Sequence, residues 1–298
     1  MNNSYSSTSQ SLPSLPSALP TALVTGSSSG FGQLIALTLA QKGYQVIATM
    51  RDLNKQAPLI NEAKKAGIDM RIESVELDVT NHKAILDVTK ALIDKYGRID
   101  VLVNNAGYAV GGFVEDVPLA DWQRQMETNF MGVVAVTKAV LPYMREQGTG
   151  YIINISSISG RVGFPGYAPY VASKFAVEGF SEALRLELKP FGVQVVLVEP
   201  GAYPTNIWKK GFDTIHTSQH SPYQDKLQAI LSYSRKTASQ GADPQEVADA
   251  VARICAIRYP KLRYAMGNGV SLLLWAKMLL PYSFLERTMI KMLGTTKK

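Results

Sequence analysis

The chain has 298 residues, of which 46% are hydrophobic, so it can bury one large core or at most two. Its one cysteine, Cys255, excludes an internal disulfide framework and favours a reducing compartment, which we expect to be the cytoplasm. The formal net charge is +7, and residues 255–298 carry all of it, because eight basic residues there accompany only Glu286. The composition is otherwise that of an ordinary globular protein, with no heptad pattern or internal repeat.

Residues 1–20 are rich in serine and proline and almost uncharged. They lack the basic start and the apolar core of a signal peptide, and they contain no arginine, which disfavours an organelle-targeting segment. We therefore predict a disordered leader over these twenty residues.

From residue 21 onward, short apolar runs alternate with segments of helical spacing. The helical segments lie at 31–43, 54–67, 82–97, 119–147, 170–192 and 243–257, and the apolar runs predict strands at 21–26, 44–50, 71–79, 99–107, 150–157, 193–201 and 262–267. This alternation predicts a doubly wound α/β fold, a parallel sheet of about seven strands with helices on both faces. Such sheets bind ligands at the carboxyl ends of their strands, so we expect the functional residues in the loops there.

The first of these loops reads "TGSSSGFG" at 25–32 and contains three glycines. We expect Gly26 to permit a tight turn, Gly30 to let the backbone approach a ligand closely, and Gly32 to pack a helix on its strand. The helix that follows would direct its N-terminal amides at a phosphate. The spacing differs from the usual dinucleotide fingerprint, but its place between a strand and a helix predicts phosphate binding.

Tyr170 and Lys174 lie four residues apart in "YVASK", so a helix places them on one face. A free tyrosine has a pKa of about 10 and is a poor base at neutral pH. Two interpretations are open at this point. Either the pair decorates a helix, or the lysine lowers the pKa of the phenol so that it can transfer protons.

Seven motifs resemble the short-chain dehydrogenase/reductase family in order and spacing. They are the glycine loop, "DV" at 78–79, "NNAG" at 104–107, Asn129, Ser157, "YVASK" at 170–174 and "PG" at 200–201. The resemblance covers about residues 20–210, and "VIATMRDL" together with "METNFMGVVAVTKAVLPYMR" looks most like the branch of hydroxysteroid and retinol dehydrogenases. It implies a Rossmann-type NAD(P)-dependent oxidoreductase that acts on CH–OH groups.

The patterns along the chain and the resemblance together predict its division, and the resemblance implies its catalytic residues. Residues 21–268 would form the oxidoreductase domain with a substrate loop at 202–240, and 269–298 a basic amphipathic extension. Tyr170 would be the proton donor and acceptor, and Lys174 would also hold the nicotinamide ribose. Ser157 would orient the substrate oxygen, although Ser156 and Ser159 are close rivals, and Asn129 would hold a water.

The same resemblance implies a set of cofactor contacts, in which Asn104 is half structural because it would tie neighbouring strands together. The predicted contacts are Gly26, Ser28, Ser29, Gly30, Phe31, Gly32, Arg51, Asp78, Val79, Asn105, Ala106, Gly107, Tyr170, Lys174, Pro200, Gly201 and Thr205.

The end of the second strand bears on the choice between the two nicotinamide cofactors. NAD-dependent members of the family usually carry an acid there, which accepts from the ribose 2′-OH. This chain has Met50 and then Arg51, whose guanidinium suits a 2′-phosphate, so we predict NADP, used as NADPH, over NAD. Asp52 follows, and a shift of two residues would reverse this prediction.

The loops after the fourth, fifth and sixth strands supply mostly apolar and aromatic side chains, which favours a small apolar carbonyl or alcohol as substrate. The same side chains would alternatively pack the loops on themselves. The predicted substrate contacts are Ser157, Phe113, Phe164, Tyr203 and Trp208, and further candidates are Tyr108, Val110, Tyr167, Ile207 and Phe212.

The apolar run at 270–293 is interrupted by Lys277 and Pro281, which argues against a transmembrane helix. Three roles stay open for it: a cover for the substrate pocket, a subunit contact, or a peripheral contact with an anionic membrane. The resemblance implies a homodimer or homotetramer. We expect no nucleic-acid partner.

Two further interpretations concern function. His216 and His220 have a spacing that can bind metal on a helix, but they lie in a loop-like stretch without a third ligand, so we predict no metal site. A catalytically silent NADP-binding regulator is the alternative to an enzyme, and the intact Ser157, Tyr170 and Lys174 argue against it.

Overall fold

The computed structural model describes residues 19–205, 211, 215–218 and 220–292, except for the side chains of Ala238 and Met292. Nearly all of the predicted leader lies outside the described residues. Those described form one parallel sheet of seven strands in the order β3-β2-β1-β4-β5-β6-β7. The strands are β1 Thr21–Val24, β2 Gln45–Met50, β3 Ile72–Glu76, β4 Val101–Asn104, β5 Gly150–Ile155, β6 Val193–Pro200 and β7 Arg263–Met266.

The helices cover both faces of this sheet, which confirms the predicted doubly wound α/β fold. They are α1 Gly30–Gln41, α2 Ala57–Lys65, α3 His82–Tyr96, α4 Leu119–Met126, α5 Gly132–Gln147, α6 Ala168–Leu188, α7 Gln224–Ser239, α8 Gln245–Cys255, α9 Val270–Leu279 and α10 Tyr282–Met292. The chain leaves β1 in one direction and β4 in the other, so a crevice opens between these strands at the carboxyl edge.

Apolar side chains fill a layer on each face of the sheet. One layer joins α1 and α8 to the strands, and the other joins α3, α5 and α6 to them. Because both faces are covered, the central strands are apolar in consecutive positions and not in alternation. Cys255 is buried in the first layer, and burial raises the pKa of its thiol to about 12.

The predicted helical region at 119–147 is continuous, but it is not α-helical throughout. A π-helical turn, Glu127–Met131, joins α4 to α5. Turns of this kind are rare and occur frequently at functional sites. The turn contains Asn129, which is buried.

The predicted substrate loop at 202–240 contains α7. The basic residues of 255–298 are spread over several elements, because Arg258 and Lys261 precede β7 whereas Lys277, Arg287 and Lys291 lie on α9 and α10. We call α9 and α10 the C-terminal helix pair. Across the described part of the chain, the helices are too short or too polar to traverse a bilayer.

Candidate active site

A cavity of about 720 Å³ lies at the carboxyl edge of the sheet. The glycine loop and the ends of β2, β4 and β5 form one side, which we call the glycine side. Side chains from α7, the C-terminal helix pair and the loop after β5 form the other, which we call the apolar side. Tyr170 and Lys174 lie where the two sides meet.

The glycine loop packs so closely that it excludes side chains at two positions. Gly26 has a φ of +70°, and a Cβ there would lie 2.7 Å from Ala106 Cα. A Cβ at Gly32 would overlap the Gly26 carbonyl and the Asn105 amide. These contacts explain why glycine is needed at both positions, as the sequence predicts.

Side chains from β4 and β1 hold the glycine loop in place. Asn105 Nδ2 donates to the carbonyls of Thr25, at 2.9 Å, and Gly26, at 3.1 Å. Thr25 Oγ1 accepts from the backbone amides of Asn105 and Ala106, each at 3.0 Å. The "NNAG" motif therefore fixes the loop from the neighbouring strand.

The start of α1 fits a dinucleotide phosphate. Ser29 precedes the helix, and its side chain accepts no hydrogen bond from the first turn within the described residues. The backbone amides of that turn lie at the end of the helix that borders the cavity. There the free N–H groups and the helix dipole favour an anion. Ser28, Ser29, Gly30 and Phe31 all line the cavity.

Helix α6 positions the Tyr170–Lys174 pair as the spacing predicts. Lys174 is buried, and its Nζ donates to the Ile155 carbonyl at 2.7 Å. The same Nζ lies 5.8 Å from the centre of the Tyr170 ring. The lysine thus connects α6 to the end of β5 directly beneath the phenol.

Burial dominates the electrostatics of this pair, and the predicted effect of the lysine on the phenol stays a prediction. Burial raises the pKa of Tyr170 above its usual value, and a hydrogen bond with Ser157 lowers it. Burial also lowers the pKa of Lys174 to about 8, while the Glu178 carboxylate raises it. The hydrogen bond with Ser157 is thus the contact that offsets part of the effect of burial on the phenol.

Ser157 follows β5 and lies at the cavity beside Tyr170. Its Oγ donates to the Pro200 carbonyl at 3.4 Å and accepts from the Ser159 amide at 3.1 Å. The rival Ser156 is buried, and its Oγ has no hydrogen-bond partner among the described residues. A Cβ at Gly160 would lie 2.9 Å from that Oγ, so Ser156 also packs against the following loop, and both Ser156 and Ser159 line the cavity together with Ser157.

Asn129 connects the loop after β4 to α6. Its Oδ1 accepts from the Tyr108 amide at 3.1 Å, and its Nδ2 donates to the Tyr108 carbonyl at 2.9 Å and to Ser173 Oγ at 3.2 Å. Ser173 Oγ in turn donates to the Tyr170 carbonyl at 2.7 Å. These bonds position the backbone that carries the phenol, and the predicted water-holding role of Asn129 stays a prediction.

The remaining predicted cofactor contacts lie around the glycine side. Asp78 Oδ1 accepts from the amide and the hydroxyl of Thr80, and Arg51 follows β2 at the cavity. Asp52 is engaged elsewhere, since it accepts from the Asn54 amide at 3.1 Å and pairs with Lys55 at 3.2 Å. The other cavity-lining members of the predicted set are Val79, Asn105, Ala106, Gly107, Pro200, Gly201 and Thr205.

The predicted substrate contacts are only partly brought together. Phe164 lines the cavity, and so does Tyr203, which is buried against Phe31 with its hydroxyl 3.3 Å from Glu246. Phe113 does not line it, because its ring stacks on Tyr223 with centroids 4.5 Å apart. Of the further candidates, Tyr108 and Tyr167 line the cavity and Val110 does not. Trp208, Ile207 and Phe212 lie outside the described residues.

Most residues of the apolar side are not among those predicted from the sequence. Ile230 and Tyr233 of α7, Leu273 of α9 and Met289 of α10 line the cavity. The apolar run at 270–293 was the available signal, and of its three open roles, the cover of the pocket is the one that these contacts support. The place where the end of β6 meets the start of α9 is a close joint. A Cβ on Gly201 would lie 2.5 Å from Val270 Cγ2, so these two elements pack directly on each other.

A group of charges with two buried carboxylates and two partly exposed arginines lies beside α6, and we call it the ion cluster: Glu178, Glu199, Arg161 and Arg263. Glu199 is fully buried, and its Oε1 lies 3.1 Å from Arg161 and 3.0 Å from Arg263. Arg263 also lies 3.0 Å from Glu178, one turn after Lys174. Burial and the Glu178 charge raise the pKa of Glu199 to about 7, although the charges of Arg161 and Arg263 lower it. The cluster links β6, β7 and α6.

The fold and the cavity together define an oxidoreductase that binds a dinucleotide. The family model for short chain dehydrogenases matches residues 20–215. An uncharacterized oxidoreductase of Bacillus subtilis, YusZ, is 46% identical over 275 residues, which are 91% of this chain and 98% of the relative. The chain therefore belongs to the short-chain dehydrogenase family and is an NAD(P)-dependent oxidoreductase of CH–OH and carbonyl groups.

Two other curated relatives have more specific names. A 3-ketodihydrosphingosine reductase of Bacteroides thetaiotaomicron is 40% identical over 84% of this chain and 89% of its own. Retinol dehydrogenase 8 of Bos taurus is 37% identical over 82% of this chain and 80% of its own. The second of these relatives fits the predicted branch.

Solved structures agree with the fold. A short-chain dehydrogenase from Streptomyces avermitilis is 32% identical, with a TM-score of 0.78 over 95% of this chain and 100% of its own. A metagenomic short-chain oxidoreductase in complex with NADP is 28% identical, with a TM-score of 0.66 over 83% of this chain and 96% of its own. A short-chain dehydrogenase/reductase from Burkholderia phymatum in complex with NAD is 25% identical, with a TM-score of 0.75 over 90% of this chain and 95% of its own. These neighbours support a nicotinamide cofactor of either kind.

Proposed function

We propose that this protein uses NADPH to reduce an apolar ketone or aldehyde to its alcohol, with Tyr170 as the proton donor. The observation that carries the proposal is the convergence of Tyr170, Ser157 and Lys174 on one cavity, between a glycine loop and an apolar wall. The bound dinucleotide would supply the hydride.

The side chains divide the remaining chemistry among them. The phenol of Tyr170 gives its proton to the carbonyl oxygen as negative charge develops there. The hydroxyl of Ser157 donates to the same oxygen and orients it. Lys174, whose pKa is about 8, is mostly charged at neutral pH and stabilises the phenolate that forms.

The preference for NADPH rests on the end of β2. Arg51 lines the cavity there, where its guanidinium suits a ribose 2′-phosphate. Asp52, the residue that would favour NADH, is held by Asn54 and Lys55 and does not line the cavity. The structural neighbour in complex with NADP supports this preference, and the one with NAD supports the competing cofactor.

An apolar substrate is supported by the apolar side of the cavity and by the relatives named for 3-ketodihydrosphingosine and retinol. We further propose a homodimer or homotetramer, which the exposed Leu119 and Met131 along α4 and the π-helical turn support. The reaction would take place in the cytoplasm.

Turnover of a panel of apolar ketones and aldehydes with NADPH tests this function. Tyr170→Phe should reduce kcat by about 10³-fold, because general acid catalysis contributes about 10²–10⁴. NADPH affinity should stay unchanged. Tyr259→Phe, at an exposed tyrosine, is the matched control and should keep full activity. NADPH binding without any turnover that depends on Tyr170 would instead favour the silent regulator.

A further inference from the structure

The outer face of α9 is apolar although it is exposed. Leu272, Trp275 and Leu279 are spaced by three and four residues, so they share one side of the helix. They are 75%, 58% and 68% exposed. The opposite side, with Val270, Leu273 and Leu274, packs on the protein and on the cavity. A helix that is apolar all round is normally buried, so the outer face of α9 needs a partner.

Helix α10 extends this surface and adds charge. Tyr282, Phe284 and Ile290 are exposed, and so are Arg287 and Lys291, which lie one turn apart. Among the described residues of the helix pair, the exposed carboxylate beside these two cations is Glu286. The surface therefore combines exposed apolar and aromatic side chains with two basic ones.

Lys277 fixes the helix pair to the rest of the molecule. Its Nζ donates to the Arg161 carbonyl and lies 5.6 Å from the centre of the Phe175 ring. Leu285 of α10 is buried, and Met289 lines the cavity. The helix pair is thus held with one face on the cavity and its apolar face outward.

We propose that the outer face of the C-terminal helix pair docks on the surface of an anionic phospholipid bilayer. Trp275 and Tyr282 suit the boundary between headgroups and acyl chains, and Arg287 and Lys291 suit anionic headgroups. A second copy of the chain fits less well, because a two-fold contact through this face would bring the same basic residues together.

This docking would give the proposed substrate a route to the cavity, and in that respect it rests on the proposed function. The bilayer would lie against the helices that wall the cavity, about 10 Å from it, which is the thickness of one helix. An apolar carbonyl that partitions into lipid would then reach the cavity without crossing bulk water.

The test compares sedimentation of the full-length protein with phosphatidylcholine vesicles and with vesicles that also contain phosphatidylglycerol. We expect at least tenfold stronger binding to the anionic vesicles. The triple variant Leu272→Ser/Trp275→Ser/Leu279→Ser should lose that binding by tenfold or more. The control variant Met70→Ser/Leu86→Ser/Leu186→Ser removes exposed apolar residues elsewhere and should retain it.

A second readout needs no disruptive change to the surface. In Trp122→Phe/Trp208→Phe, Trp275 is the one tryptophan left of the three in the chain. Brominated phospholipids should quench its fluorescence. An unquenched Trp275, or a wild-type dimer that the triple variant abolishes in the absence of vesicles, would overturn the proposal.

Neither readout requires turnover. Vesicle binding by a protein that reduces no carbonyl would refute the proposed reaction and leave the docking intact. Full NADPH-dependent reduction without vesicle binding would do the reverse.

Discussion

The glycine side and the apolar side of the cavity are held in shape by different means. On the glycine side, backbone atoms occupy the space where side chains would go, as at Gly26 and Gly32. On the apolar side, the wall consists of side chains such as Ile230, Leu273 and Met289. The first surface has no space for an added methyl group at these two glycines, whereas the second changes shape with each side chain.

The largest effect is expected from Gly32→Ala on the glycine side. The new Cβ would overlap the Gly26 carbonyl, which is backbone and cannot rotate away. We expect the free energy of unfolding to fall by about 2–3 kcal/mol, as for overpacked cores, and NADPH affinity to fall more than tenfold. Urea unfolding and NADPH titration measure the two effects.

The matched control is Gly179→Ala in α6, where a Cβ would meet nothing within 4 Å. Because alanine is the better helix former, this change should raise the free energy of unfolding by about 0.5–1 kcal/mol. Equal effects of the two substitutions would show that the glycine side is not tightly packed.

The next effect concerns the choice of cofactor. Arg51→Glu should lower the ratio of NADPH to NADH affinity about 30-fold, since a bond between a guanidinium and a phosphate is replaced by repulsion, worth about 2 kcal/mol. Lys64→Glu reverses an exposed charge on α2 that does not line the cavity, and should change the ratio little. Parallel titrations of each variant with NADPH and NADH measure the affinity ratio. An unchanged ratio in Arg51→Glu would contradict the proposed preference for NADPH.

A smaller effect is expected from pH at the junction of the two sides. Lys174 loses its proton near pH 8 in the folded protein, but near pH 10.4 in an unfolded chain. Between these values the unfolded state holds the extra proton, so the free energy of unfolding should rise with pH by up to about 1.4 kcal/mol per unit.

Urea unfolding of the wild type and Lys174→Met at pH 8, 9 and 10 measures this slope. The wild type should gain stability relative to the variant as the pH rises. Parallel curves would mean that Lys174 is not desolvated as the structure shows.

The smallest effect is expected on the apolar side. Met289→Ala should raise KM for an apolar carbonyl about fivefold, because a lost side-chain contact costs about 1 kcal/mol. NADPH affinity should not change. Leu186→Ala, at an exposed leucine of α6, is the control. A change in NADPH affinity in Met289→Ala would contradict the division of the cavity into two sides.

The same division explains what the sequence could predict. Gly26, Gly32 and the Tyr170–Lys174 pair are local patterns, since each depends on residues a few positions away or on one strand end. The strands and the residues at their carboxyl ends follow from the alternating pattern, and the structure places them at one cavity.

Other features depend on contacts between distant residues. Phe113 was expected at the substrate, but its direction is set by stacking on Tyr223, 110 positions later. Helix α7 was read as a loop, because the partners that bury its apolar face come from other parts of the chain. The ion cluster joins residues as distant as Arg161 and Arg263, and no local pattern indicates that Glu199 is buried.

The contact between Gly201 and Val270 has a consequence for how such enzymes diversify. The glycine loop and α6 both precede this joint in the chain, and the C-terminal helix pair follows it. A recombination event that keeps the two residues would exchange the helix pair while the hydride-transfer machinery is inherited intact. New substrate ranges would then arise by swapping a short tail segment onto an unchanged catalyst.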